Sequence, residues 1–156
     1  MKPKVTIGLP IYNGEKYMRE SIESILNQDY SDFDLIISDN ASTDSTAEIC
    51  HEYMKNDNRI KYFRNEKTIG VGNNYTKVVE LAEGSDYFMW VAHDDSLDKT
   101  FLSKTLNALE NNPNATLCCT NVNFIDLYGI KIDGIEKRAT LGLNTTGMNI
   151  FEKYKD

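Results

Sequence analysis

Apolar positions along this chain recur with two alternating periods, and the alternation predicts the architecture. Val5, Ile7 and Leu9 open a strand that stops at Pro10. After Asn13-Gly14 the period lengthens, and Met18, Ile22, Ile25 and Leu26 share one face of a helix reaching about Gln28. Phe33 to Ser38 reads as a second strand, and the polar run Asp39 to Asp44 turns the chain into a second helix. That helix carries a stripe of Ala47, Cys50, Tyr53 and Met54, and Ser45 with Glu48 stands at capping-box spacing. Ile60 to Arg64 is predicted as a third strand. Gly70 to Asn74 leads into a third helix with Tyr75, Val78, Val79 and Ala82, closed by Gly84. Tyr87 to Ala92 runs apolar without interruption, as a strand buried on both faces at the centre of a parallel sheet does. Asp98 starts a fourth helix with Phe101, Leu102, Thr105 and Leu109, ended by Pro113, and Ala115 to Thr120 is predicted as a fifth strand.

Strands alternating with helices in this way predict an α/β fold, a doubly wound and mostly parallel sheet. From about Asn123 the regularity fades. Asp126 to Gly129 reads as a turn between two short strands, and Lys131 to Asn144 as loop. Met148, Phe151 and Tyr154 begin an amphipathic helix that the sequence cuts short.

Composition narrows the function classes. At 156 residues, 40% hydrophobic and 26% charged, the chain fits one soluble globular domain. A net charge of −7 without a basic cluster argues against a nucleic-acid groove. It leaves a nucleotide ligand open if a cation offsets the phosphates. No segment is apolar enough for a signal peptide or a membrane span, and Cys50, Cys118 and Cys119 lack metal-ligand spacing. They read as buried thiols in a reducing cytoplasm, which is the expected location.

In such a sheet the carboxyl ends of the strands meet at the ligand crevice. They bring together Pro10-Ile11-Tyr12-Asn13, Asp39-Asn40, Asn65, His93-Asp94-Asp95 and Thr120-Asn121. This set contains no Ser/His/Asp or Cys/His constellation, and Gly70-Val71-Gly72 is only a fragment of a dinucleotide fingerprint. Asp94 and Asp95 side by side are costly unless a positive group meets them. They either cap the following helix or hold a divalent metal, and oxygen ligands suit Mg²⁺ or Mn²⁺. His93 is either an imidazole ligand or a partly buried neighbour, and Tyr12 either stacks on a base or ribose or simply packs.

Val5 to Asn13, followed by Tyr17, Glu20, Ser21, Ile22, Ser24-Ile25-Leu26 and Gln28, resembles the opening of glycosyltransferase family 2. Asp39-Asn40-Ala41-Ser42-Thr43-Asp44-Ser45-Thr46 is similar to its D-D-x-S-x-D-x-T block, and His93-Asp94-Asp95 to its variant D-x-D metal motif. The similarity covers residues 4 to about 125. It implies a Rossmann-like, glycosyltransferase A-type fold and metal-dependent, inverting transfer of a sugar from a nucleoside-diphosphate sugar to a saccharide or glycoconjugate acceptor, in surface polysaccharide assembly.

Carried over residue by residue, the resemblance places Pro10, Ile11, Tyr12 and Asn13 at the nucleotide. Asp39 is set against the base, with Asn40, Asn74 and His93 in the same donor site. Asp94 is expected on the ribose side and Asp95 at the metal, both in the catalytic centre. UDP is the favoured nucleotide, with dTDP and GDP as rivals. Two departures stand out: Ala92 replaces a frequent Asp, and Asn73 replaces a frequent Arg that would supply a cation.

The family's catalytic base lies beyond the last residue here. The expectation is therefore a C-terminally truncated fragment, with donor binding in 1–125 and an incomplete acceptor-side region in 126–156. Peripheral association with the inner face of the cell membrane is expected of the full-length protein. A non-catalytic nucleotide-sugar-binding module is the competing reading. A signalling receiver domain is disfavoured, because its first strand ends in acids where this one ends in Pro10-Ile11-Tyr12-Asn13.

Overall fold

The computed structural model describes residues 3–82, 84–126 and 129–132. The chain divides into two compact units, Met1–Phe101 and Leu102–Asp156.

The first unit is built on four parallel strands: β1 (Val5–Ile11), β2 (Phe33–Asp39), β3 (Ile60–Arg64) and β4 (Tyr87–Trp90). Their order is β3-β2-β1-β4, so the chain winds outward in one direction, then crosses back to add β4 on the far side of β1. Val5 pairs with Phe33 on one side and with Tyr87 on the other. Helices α1 (Met18–Leu26), α2 (Thr46–Asn56) and α3 (Val71–Leu81) connect the strands. Strand alternation assigns the faces. Ser38 bonds Asn74 of α3, whereas Tyr62, on the opposite face, meets the His51 ring of α2 at 5.1 Å between centroids.

The core is carried by β1 and β2. Every residue of β1 is buried, as is nearly all of β2, and Met18, Ile22 and Ile25 of α1 are fully buried. Gly8 keeps β1 thin at one point. A Cβ there would stand 2.8 Å from the Phe88 ring and 2.9 Å from Val78, so only hydrogen allows β4 and α3 to close on β1.

Several sequence expectations are corrected. Tyr87 to Trp90 is not the sheet centre but its edge among the described residues: β4 pairs with β1 alone, and Trp90 is 49% exposed. Its apolar run meets neighbours along one side only. Ala115 to Thr120 joins no ladder among the described residues and is largely exposed, so four strands form where five were expected. The buried face of α2 is Thr46, Ile49 and Cys50, while Met54 reaches solvent. In α3 the buried positions are Asn74 and Val78, rotated away from the apolar Val79. The reason is polar: Asn74 has partners to satisfy on β2, and they fix the helix orientation.

In the second unit, α4 (Phe101–Glu110) buries Leu102 and Leu106. Around the expected turn, Ile125 is bridged antiparallel to Lys131 and the Ile132 N–H donates to the Phe124 carbonyl at 2.8 Å, but the two short strands expected to flank it do not form among the described residues. Asp133, the remainder of the stretch to Asn144 expected as loop, and the helix expected at Met148, Phe151 and Tyr154 lie outside the described residues.

Candidate functional site

The reversal of winding between β1 and β4 opens a crevice at the carboxyl ends of the strands. A cavity of about 250 Å³ lies there. Pro10, Ile11 and Tyr12 line it from the end of β1, Asn40 from the end of β2, Val71, Asn74 and Tyr75 from the start of α3, and His93 from beyond β4. Tyr12 is 50% exposed and offers its ring to the opening. Six of the eight predicted donor-site residues before the acidic pair (Pro10, Ile11, Tyr12, Asn40, Asn74 and His93) thus share one cavity. Val71 and Tyr75 were missed. Periodicity places Tyr75 in the apolar stripe of α3, and only its one-turn spacing from Val71 hints that both face the same opening.

Asn13 and residues 41–46 do not line the cavity; they form a wall of hydrogen bonds that ties the end of β1 to the turn after β2. Asn13 adopts a left-handed backbone, φ 51°. Its N–H donates to Ser42 Oγ at 2.9 Å, and its Oδ1 accepts from the Thr43 N–H at 2.9 Å. Gly14 N–H donates to Thr46 Oγ1, and Ser45 N–H to Glu15 Oε2. The capping box expected from Ser45 and Glu48 is absent: Ser45 makes no side-chain cap, and Asp44 Oδ1 takes the Thr46 N–H instead. Burial raises the Asp44 carboxyl, but hydrogen bonds from Thr46 and the Glu15 N–H outweigh it and leave the group below its ordinary value. Gly14 also admits the site's neighbours, since a Cβ there would meet Ile11 at 2.3 Å and His93 at 3.0 Å.

Asp39 is fully buried beneath this wall and is not part of the cavity lining. Its Oδ1 accepts from the Ser42 N–H at 2.8 Å and its Oδ2 from the Tyr62 hydroxyl at 2.7 Å, with Arg64 Nε 3.8 Å away. Burial, then the bond to Asp39, pushes the Tyr62 phenol well above its usual range. Tyr62 and Arg64 were also missed. The signal was available, because the register sets Ile37 opposite Tyr62 and Asp39 opposite Arg64, which places all four on one face.

A second polar system lies on the other face. Asn74 Nδ2 donates to the Ser38 carbonyl at 2.8 Å, and Asn74 Oδ1 accepts from the Ser38 hydroxyl and from Asn65 Nδ2. Lys77 Nζ donates to Asn65 Oδ1. Asn40 Oδ1 accepts from the Ile69 N–H at 2.8 Å and from Asn65 Nδ2 at 3.3 Å.

Asp94 and Asp95 follow in an exposed turn, closed by the Asp95 N–H on the Ala92 carbonyl at 3.1 Å. Their carboxylates have no hydrogen-bond partner among the described residues. They do not cap α4; Asp98 instead accepts from the Thr100 N–H just before it. Partial desolvation raises the Asp95 carboxyl, and the charge of Asp94 raises it further. A cation at Asp95 would relieve both effects. Among the described residues no group of three His, Cys, Asp or Glu side chains could enclose a metal alone. The arrangement therefore fits a hard cation held by one carboxylate and completed by phosphate oxygens, the usual manner for Mg²⁺ and Mn²⁺ at diphosphates.

Comparison with known proteins bears on this geometry. The model of the family described as Glycosyl transferase family 2 matches residues 6–150. An uncharacterized glycosyltransferase of Methanocaldococcus jannaschii is 39% identical over 130 residues, covering 82% of this chain and 44% of that protein. The crystal structure of S. aureus TarS in complex with UDP-GlcNAc superposes with a TM-score of 0.66 at 27% identity, over 72% of this chain and 32% of that one. The mannosyltransferase of Pyrobaculum calidifontis, solved with GDP-Man and Mn2+, shares the fold with a TM-score of 0.68 at 20% identity, over 78% of this chain and 36% of its own. The chain spans about half the length of the curated relatives it matches.

Proposed function

Because the chain belongs to glycosyl transferase family 2, we propose that it binds a nucleoside-diphosphate sugar at the strand-end crevice, with UDP the favoured nucleotide. In this reading the base and ribose enter the cavity beside Tyr12 and Asn40, Asp94 meets the ribose side, and Asp95 ligates Mn²⁺ or Mg²⁺. Asp39 accepts the imide N–H of the base, which requires the Tyr62 hydroxyl to swing off its carboxylate. The cation supplies charge stabilisation for the departing nucleoside diphosphate.

The observation that carries this reading is an exposed carboxylate pair, without a hydrogen-bond partner among the described residues, that directly follows His93 in the lining of a largely apolar cavity with no Lys or Arg. Such a cavity suits a base, and such a carboxylate pair next to it suits a cation-bridged diphosphate. Donor binding is proposed for residues 1–125. Inverting transfer to a saccharide or glycoconjugate acceptor, and work in the cytoplasm at the inner face of the membrane, are proposed for the whole protein. No helix among the described residues is long and apolar enough to cross a membrane.

Calorimetric titration of UDP with and without Mn²⁺ tests the proposal. Binding should require the metal and should be lost in Asp95→Ala. Equal affinity after chelation would remove the metal from the site, and an unaltered Asp95→Ala would remove Asp95.

A further inference from the structure

The polar side chains of the cavity differ in one respect. Asn74 has committed both ends of its amide, to Ser38 and Asn65. Asn40 has committed only its oxygen, and it is 4% exposed. A backbone N–H can only donate, so the Asn40 atom facing the Ile69 N–H must be Oδ1. This fixes an amide orientation that a side-chain partner alone would leave open. Nδ2 then points the other way. It has no partner among the described residues, yet no enclosed side-chain polar atom there lacks one. Its N–H groups therefore open onto the cavity that Asn40 lines.

The orientation is enforced from further back. An ammonium has only donors, so Lys77 must face Asn65 Oδ1, and this turns Asn65 Nδ2 toward Asn40 and Asn74. The result is a directed chain, Lys77 to Asn65 to Asn40, in which every link donates toward the cavity. Hydrogen bonds aligned in this way polarise one another, and a cation at the head strengthens the last donor. The walls around that donor are Pro10, Tyr12, Val71 and Tyr75, which suit a flat ring rather than a phosphate.

We infer that Asn40 is a specificity-determining donor that gives a hydrogen bond to a carbonyl oxygen on the edge of the bound nucleobase, with Asn65 and Lys77 as positioning residues that hold its polarity. The inference rests on the proposed nucleotide site and adds a selection rule to it. A base must present an acceptor at this point of the cavity, and a carboxylate at position 40 would be the wrong polarity.

The test uses Mn²⁺-loaded protein titrated with UDP and with two thio-UDP analogues, in each of which sulfur replaces one carbonyl oxygen of uracil. Sulfur is the weaker acceptor, so the analogue altered at the contacted oxygen should bind about fivefold to tenfold more weakly than UDP, and the other should match UDP. Asn40→Asp keeps the shape and the oxygen facing Ile69. It should lower UDP affinity about tenfold and abolish the difference between the analogues. Lys77→Met should shrink the thio penalty while the circular dichroism spectrum is unchanged, and Lys77→Arg should restore it. Asn40→Asp binding UDP as tightly as the parent, or the same thio penalty in both proteins, would overturn the inference and leave the nucleotide site standing. Failure of UDP to bind the parent protein at any Mn²⁺ concentration would instead overturn the reading on which it rests.

Discussion

At the scale of single residues, the chemistry turns on what each polar group already has. Asp95 has little: its carboxyl is raised by partial desolvation and then by the charge of Asp94. A raised folded-state value means that a proton competes for the group at a higher pH than for an ordinary carboxylate. Ionised Asp95 therefore carries a cost in the free protein above that value, and a metal bound there would relieve it. Mn²⁺ affinity should accordingly fall as pH drops through the raised Asp95 value, from a higher pH than an unperturbed Asp would give. Asp94→Asn, which removes the like charge, should move the midpoint to lower pH; a midpoint that stays in place would show that Asp94 does not act on Asp95.

Asp39 is the opposite case, with Ser42, Tyr62 and Arg64 all around it. Tyr62→Phe frees one carboxylate oxygen. It should cost about 1–2 kcal/mol of stability through the buried acceptor left behind, yet tighten UDP severalfold if the base must displace that hydroxyl. Unchanged UDP affinity would confine Asp39 to holding the wall. The sequence identified Asp39 as important without showing that it was sealed, because burial of a polar residue depends on partners from another strand.

At the scale of elements, the alternating periods placed four strands and four helices, and misjudged mainly what lies beside them. The run Tyr87 to Trp90 reads as central because its residues are apolar on both faces, yet β4 has only β1 to pair with among the described residues. Strand position in a sheet depends on crossover direction, which periodicity does not encode. The faces of α2 and α3 were displaced for a related reason. Thr46 and Asn74 are buried because they hold hydrogen bonds, and a rule based on apolarity passes over them. The junction of β1 with β4 and α3 should be intolerant of growth. Gly8→Ala places a methyl 2.8 Å from Phe88 and 2.9 Å from Val78. It should lower stability by about 1–3 kcal/mol, read as an earlier urea midpoint with an unchanged slope. Restoration by the double variant with Val78→Ala would confirm that crowding is the cause.

At the scale of the whole molecule, donor binding and sugar transfer make different demands. The strand-end crevice, the tethered Asn13–Thr46 wall and the acidic turn all lie within Met1–Phe101, the unit for which nucleotide and cation binding is proposed. Inverting transfer also needs a carboxylate free to take the acceptor's proton as the new bond forms. Of the carboxylates at the crevice, Asp39 is enclosed, Asp95 is proposed for the metal, and Asp94 for the ribose side. In the second unit, Asp126 is occupied in its turn, where its Oδ1 accepts from the Ile130 N–H at 2.9 Å. This chain spans about half the length of the glycosyltransferases it matches. The 156-residue chain should therefore bind UDP and Mn²⁺ tightly enough to titrate while transferring sugar negligibly to added acceptors, with slow donor hydrolysis as the residual activity. Assaying release of UDP from a UDP-sugar, with and without saccharide acceptors, separates the two. Acceptor-dependent turnover by this chain, abolished in Asp126→Asn or Asp133→Asn, would show that the proton-accepting group is already present and that the division between donor and acceptor regions lies elsewhere.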